Sequence, residues 1–550
     1  MVAPPIDVEG LTTRGLLPEN MPAAYTTKAI WAPYASLGDN YAITAQVVGE
    51  HATYNASKRG GQRRIFGIPH PSFVRDTAIF FSRHWSDVSK IIDSSPGSLS
   101  KPVFHPNGVR CVGITPHSDL PKMRLRSFSR FKFCLLTDVS RFFSSIYTHT
   151  LPWALHSKAS AKVDFQAASA KIFGNRLDLI MRQSQDRQTI GIPIGPDTSK
   201  IVSEMLMAAV DQEFIRRSGK KKPKFLRRVD DYWVGGNSVE ECEKHLQNLR
   251  GALRSFELDI NDVKTKIIST KYIFGDSWPL EFDREITDSL SPMATILNLD
   301  PVATLSKIVD RATRDNDEGL IRHIIRVIDE RRLWTANWDL LEHFLAQCAV
   351  QFPHSFDYVA RVIAWRNRTK KSIDAALWKD VAKLVVSQNA AIGRDSEVAW
   401  ALWLLKELGV TIPKATTDMI VQNNSSLVLA FLAHCAKHKM ASDKSLVDKL
   451  RSVVEGNPFG GTYWPLTLEL THLNLADPAW FAVKSQPILQ LLHSSKVSII
   501  DWAAPPKVFQ SESVDADSGD EDPSYAIEDF GSDYGDDGDE DFSDEDDIPI

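Results

Sequence analysis

Cysteine is scarce in this chain: five in 550 residues, at Cys111, Cys134, Cys242, Cys348 and Cys435, with no Cys-x-x-Cys spacing. A scattered, odd set argues against a disulfide framework and a structural zinc site, and suits the reduced thiols of a cytoplasmic protein. Long apolar runs are missing too. No stretch reaches the roughly 18 residues a membrane span needs, and the opening Met1-Val2-Ala3-Pro4-Pro5 lacks a secretory signal pattern. Positive charge vanishes late in the chain: Ser511 to Ile550 holds 18 Asp and Glu but no Lys or Arg. The net charge is −6, so setting those 18 aside leaves residues 1–510 at +12. A basic body suits a nucleic-acid binder. The acidic tail has too little apolar surface to offset the entropy of ordering and is expected to be disordered. It either solubilises the chain or folds back on a basic groove as a mimic of nucleic acid.

The rest of the composition is that of a globular protein, 43% hydrophobic and 24% charged, with length for two or three domains. Up to about Pro71 the chain is rich in Pro, Gly and aromatics without a period, and reads as irregular structure over a core. Apolar residues from Phe73 to Ile92 recur at helical spacing. Residues 121–132 concentrate Lys122, Arg124, Arg126, Arg130 and Lys132, either a solvated face or a finger that contacts phosphate. A second basic run, Arg216 to Lys224, is either a solvated loop or a phosphate contact. His149 and His156 lack acidic partners at ligand spacing and read as structural.

Two stretches carry acidic residues where chemistry could use them. Phe133-Cys134-Leu135-Leu136-Thr137-Asp138 reads as a buried strand that delivers one carboxylate at its end. Arg228-Val229-Asp230-Asp231-Tyr232-Trp233-Val234 reads as strand, tight turn and strand, because a strand interior rarely holds two neighbouring Asp residues. Alone, such a pair is usually a solvated turn. Its other reading is half of a polymerase metal site.

The order of motifs decides between these. Asp138-x-x-x-Phe142-Phe143-x-x-Ile146-Tyr147 resembles motif A of reverse transcriptases, in particular the bacterial abortive-infection and defence-associated group related to retrons. Gly191-Ile192-Pro193-Ile194-Gly195-Pro196-Asp197-Thr198-Ser199 resembles motif B, Val229-Asp230-Asp231 motif C, and Leu258 to Thr265 motif D. Tyr272 to Trp278 is a weak match to motif E. The resemblance spans residues 14 to about 280. It implies an α+β fold with right-hand polymerase fingers and palm, an RNA-recognition-like antiparallel sheet with helices. It implies Asp138, Asp230, Asp231 and Lys264 as catalytic residues, and two Mg²⁺ ions (or Mn²⁺) on Asp138, Asp230, Asp231 and the carbonyl of Val139. Phe143 would exclude a ribose 2′ hydroxyl. Gly195 and Ser199 would shape the nucleotide pocket, and Arg126 and Arg130 would meet phosphate.

From about Glu285 to Val508 apolar stripes at helical spacing recur every 20–30 residues, as at Leu320, Ile324, Val327 and Ile328. A stack of helix pairs is expected. The expected division is fingers and palm over 1–285, a helical thumb or HEAT-like domain over 286–508, and the tail over 509–550. The expected function is RNA-directed or untemplated DNA synthesis, with a protein hydroxyl as a candidate primer, acting in antiphage defence. Its partners would be RNA or DNA and dNTPs, with a homo-oligomer or a partner defence protein left open. The alternatives are an inactive RNA-binding scaffold and a retroelement enzyme. Two positions depart from the family: Arg228 stands where motif C has Tyr, and Ile194 where motif B has Gln. Both normally hold primer or template. The Asn-Ala-x-x-His and Val-Thr-Gly elements of retron enzymes are absent.

Overall fold

The protein is described by a computed structural model over residues 6–273, 278–291, 294–454, 456–482 and 486–506. The acidic tail and much of the Tyr272–Trp278 stretch lie outside those residues.

The architecture is mostly helical with small antiparallel sheets. Two of these are hairpins, β1 (Ala52–Ser57) with β2 (Arg63–Ile68), and β3 (Val103–Phe104) with β4 (Val112–Gly113). The third is four-stranded, built from β5 (Phe133–Thr137), β6 (Phe225–Arg228), β7 (Asp231–Gly236) and β8 (Lys266–Ser269), in the order β6-β7-β5-β8. Side chains alternate between its faces, as the period of two in a strand requires. Leu135, Phe225, Tyr232 and Val234 enter one apolar cluster, while Cys134, Leu226 and Trp233 enter another on the opposite face.

Four helices cover these faces. On the first side α1 (Pro71–Ser94) packs against α3 (Asp197–Arg217), which packs against α4 (Val239–Arg254). α1 matches the helix read from Phe73 to Ile92. It starts with Pro71 in the first turn, where a missing N–H costs nothing, and the His70 ring accepts from the Ser72 N–H. On the second side lies α2 (Leu120–Phe128), whose Leu120 and Phe128 are buried with Trp233.

From Pro301 to Ser494 the described residues are mainly helical, and the stripe read at Leu320 to Ile328 falls on a helix. Leu320, Ile324, Val327 and Ile328 are buried in Glu318–Glu330, and Leu341, Phe344 and Leu345 in Trp338–Gln351. Helices two apart in sequence pack on each other, which sorts them into two rows. One row runs through Glu318–Glu330, Phe356–Arg368, Asp395–Glu407, Ser426–Lys437 and Trp464–His472. The other runs through Trp338–Gln351, Ala375–Ala390, Lys414–Asn423 and Leu446–Ser452. Stacked helix pairs produce this pattern. Among the described residues no helix is long and apolar enough to cross a membrane.

The N-terminal stretch is not a mere cover. Leu16, Met21, Ala24, Tyr34, Tyr54 and Ile68 share one core with these helices. Polar contacts fix the same seam: Arg63 grips Glu397 with both ends of its guanidinium, and the Trp400 indole N–H donates to the Asn20 carbonyl at 2.8 Å. Near the far end of the chain Tyr25 pairs with Ile500, and the Thr26 N–H reaches the Ile499 carbonyl at 2.8 Å.

Candidate active site

The acidic turn closes the β6–β7 hairpin. Arg228 and Asp231 face each other across the ladder, so the two-residue connection is Val229-Asp230, and Asp231 opens β7. Val229 has a φ of 55°, unfavourable for a β-branched residue. Its N–H donates to the Ser100 hydroxyl at 2.7 Å.

β7 pairs with β5, and Asp138 follows directly on the last β5 residue, Thr137. The motif D segment docks against this end: Val139 bridges Ile260, and the Asn261 N–H donates to the Asp138 carbonyl at 2.9 Å. Lys264 thereby comes to 3.6 Å from the Asp138 carboxylate. Residues separated by about a hundred positions in sequence meet at one end of a cleft of about 520 Å³, lined by Asp138, Val139, Phe143, Asp230 and Asp231.

Electrostatics mark this end. Asp138 is buried, and burial followed by the nearby Asp138 charge pushes the Asp230 carboxyl up to about 6. Burial, then Asp230 and Asp138, raise Asp231 well above the usual carboxylate range, while Arg228 opposes that shift. Crowded carboxylates are a setting that a hard divalent cation relieves, and an all-oxygen donor set is of the kind Mg²⁺ takes. Among the described residues no three His, Cys, Asp or Glu side chains form a self-sufficient metal cage.

Motif B forms the facing wall. The Ile192 N–H donates to the Phe143 carbonyl at 2.9 Å, and the Gly67 N–H of the first hairpin donates to the Ile194 carbonyl at 3.0 Å. Gly195 has a φ of 121°, where a side chain is strained, and a Cβ there would also crowd the Phe66 ring at 3.2 Å. Phe142 is core, whereas its neighbour Phe143 is half-exposed on the cleft and meets it edge to face at 5.1 Å.

Three expected residues are placed elsewhere. Ser199 is buried and does not line the cleft; α3 turns Lys200, Ser203 and Glu204 toward it instead, as the 3.6-residue period dictates. Arg126 and Arg130 are exposed on or just beyond α2, which covers the outer face of the sheet, and neither lines the cleft. The Arg216–Lys224 run precedes β6 at the end remote from the acidic turn, about 13 Å away along the strand. As expected of structural residues, His149 bonds Asp178 at 3.0 Å and the His156 ring accepts from the Gly174 N–H at 3.2 Å.

The sequence reading missed several cationic wall residues: Lys58 and Arg64 from the first hairpin, Arg110, Lys200, and Arg322 from the helical region. None lies in a recognisable motif. Asp197, within the motif B segment but carrying no role there, is fully buried. Its carboxylate accepts from Arg110 and from the Cys111 and Val112 N–H groups at 3.1 and 3.0 Å.

No protein-family model matches the chain, and no curated protein matches it. Among solved structures, telomerase from Candida albicans in complex with a TWJ fragment of telomeric RNA is similar over 68% of this chain and 69% of its own. It is 13% identical with a TM-score of 0.28, a likeness too slight to carry a functional conclusion.

Proposed function

We propose that this chain is a nucleotidyl-transferring DNA polymerase of the reverse-transcriptase type. The observation that carries the reading is the meeting of Asp138, Asp230, Asp231 and Lys264 at one end of a basic-walled cleft. Residues 1–285 then act as fingers and palm, and the helices of 286–508 as a thumb or HEAT-like scaffold.

In the reaction a 3′ or protein hydroxyl oxygen bonds to the α-phosphorus of a dNTP, the bond to the bridging oxygen breaks, and pyrophosphate leaves. Asp138 and Asp230, with Asp231 beside them, would hold two Mg²⁺ ions, which activate the hydroxyl and offset the leaving charge when bound. Lys264 stands to donate a hydrogen bond or proton to pyrophosphate. Phe143 lines the cleft and would meet the ribose, and Arg64 and Lys200 offer phosphate contacts. Arg322 and His354, from the helical region, line the same cleft as the carboxylates. Arg228 and Ile194 in place of the usual Tyr and Gln favour the defence-associated branch, some members of which synthesise DNA with little or no template.

A second reading, a binding scaffold without chemistry, draws on the two arginines at Asp231: Arg228 across the ladder, and Arg124, whose guanidinium stacks on Trp233 at 4.2 Å. Purified protein with labelled dNTPs and Mg²⁺, with and without RNA, separates the two. Incorporation that disappears in Asp230→Ala is expected. No incorporation by the native chain, or equal incorporation by the variant, refutes the enzyme. Protease treatment of the product reports whether DNA is joined to protein.

A further inference from the structure

Behind the acidic turn lies a buried ionic cluster that no motif contains. Arg227 is fully buried on β6, and its guanidinium is shared among three acceptors. Nε donates to Asp211 at 2.9 Å, Nη1 and Nη2 donate to the two Glu204 oxygens at 2.9 and 3.0 Å, and Nη1 also donates to the Val229 carbonyl at 3.0 Å. The acids are fixed in turn. Asp211 accepts from the Ser95 hydroxyl and the Tyr232 hydroxyl, each at 2.6 Å, and Glu204 accepts from Ser98 at 2.6 Å. The backbone of Arg227 is pinned between Gly97 and Leu99, at 2.8 and 2.7 Å.

Burying such a cluster seldom stabilises a fold more than apolar packing of the same volume does. An apolar side chain at 227 could not, however, donate to the Val229 carbonyl. With Ser100 accepting from the Val229 N–H, both polar backbone groups of the strained residue are held from behind. Strained backbone persists only where its surroundings over-determine it.

We propose that Arg227, with Glu204, Asp211 and Ser100, is a positioning unit that locks the Val229–Asp230 turn in its left-handed conformation and so sets Asp230 against Asp138. Arg227 touches neither substrate nor metal; it acts through the turn. The inference rests on Asp230 being a catalytic carboxylate, but its physical content is a property of the turn itself. Glu204 also lines the cleft, so the unit couples α3 to the acidic hairpin.

Three variants of the full chain test it. Arg227→Lys keeps the charge but loses the fork, Ser100→Ala removes one hydrogen bond without touching charge, and Val229→Gly removes the strain. Amide hydrogen exchange over residues 225–232 should accelerate about tenfold in the first two variants, with the buried Val398–Leu405 helix unchanged. Nucleotide incorporation should fall about tenfold in kcat with KM for dNTP nearly constant. Val229→Gly added to Arg227→Lys should restore most of that loss, because a glycine adopts the turn without a brace. Unaltered exchange in both Arg227→Lys and Ser100→Ala, or a glycine that deepens the loss, overturns the proposal. If Arg227→Lys does not fold, Ser100→Ala carries the test alone. If exchange behaves as stated but Asp230→Ala incorporates like the native chain, the brace stands and the polymerase reading fails.

Discussion

Replacing Asp197 by Asn should unsettle the protein far more than a one-atom change suggests. The carboxylate is fully buried at the first residue of α3, where a negative charge also favours the helix dipole. It accepts from Arg110, from two backbone N–H groups at 3.1 and 3.0 Å, and lies 3.2 Å from the Lys200 ammonium. An amide retains one acceptor oxygen and turns an NH₂ toward donors that need an acceptor. Arg110, itself buried, would lose that carboxylate and be left with the partly exposed Glu19 at 3.3 Å beside the Gly195 and Leu17 carbonyls. Removing one partner of a buried pair costs roughly 3–5 kcal/mol. Urea denaturation followed by tryptophan fluorescence measures this. The double variant D197N/R110M should be no less stable than D197N alone, since the orphaned charge is gone. A loss below about 1 kcal/mol for D197N, or strict additivity in the double variant, would refute the reasoning.

Three further outcomes are expected. Phe143→Ala should raise incorporation of rNTP relative to dNTP by about 10-fold or more, measured by competing labelled substrates, whereas Phe142→Ala should instead cost about 3–5 kcal/mol of stability. Burial lowers the His493 imidazole to about 4 and also depresses His70, whose ring stacks on it at 6.3 Å. The unfolded chain therefore takes up protons first: this contribution is whole above about pH 6.5 and falls away, by about 3 kcal/mol for His493, as pH drops toward 4. A stability profile against pH should be flatter over that window in His493→Asn, and an unchanged slope would dismiss the assignment. Glu397→Gln should cost roughly 1.5–3 kcal/mol by breaking the grip of Arg63, and hydrogen exchange should show the loss concentrated in the β1–β2 hairpin.

Local patterns were legible in the sequence because local physics set them. The stripe from Leu320 to Ile328 declares a helix through its spacing, and Asp230-Asp231 declares a nearby turn through the poor fit of paired acids in a strand, although the connection is Val229-Asp230 and Asp231 already opens β7. Asp138 could be picked out as a carboxylate at the end of an apolar run. The outward placement of Ser199 from the cleft was a matter of helical phase, which a Gly-Pro entry turn shifts by amounts no pattern reveals. Arg126 and Arg130 looked like phosphate contacts because charge density says nothing about which face of a sheet a helix will cover. Arg322 and Lys58 belong to the cleft through packing between segments some 260 residues apart. The deep burial of Arg227 contradicts its composition-level expectation, and only its three acceptors explain it.

The pairing of Tyr25 with Ile500 has a consequence for the birth of the molecule. A ribosome releases the early hairpin and the acidic turn long before residue 500 emerges, yet the core that receives Leu16, Tyr54 and Ile68 is completed by helices made last. The nascent chain must hold that apolar surface uncovered through most of its synthesis, which invites chaperones. A chain cut short by premature termination would keep every carboxylate of the cleft while leaving its cradle unbuilt. Burial of that core is thereby tied to synthesis as far as residue 500.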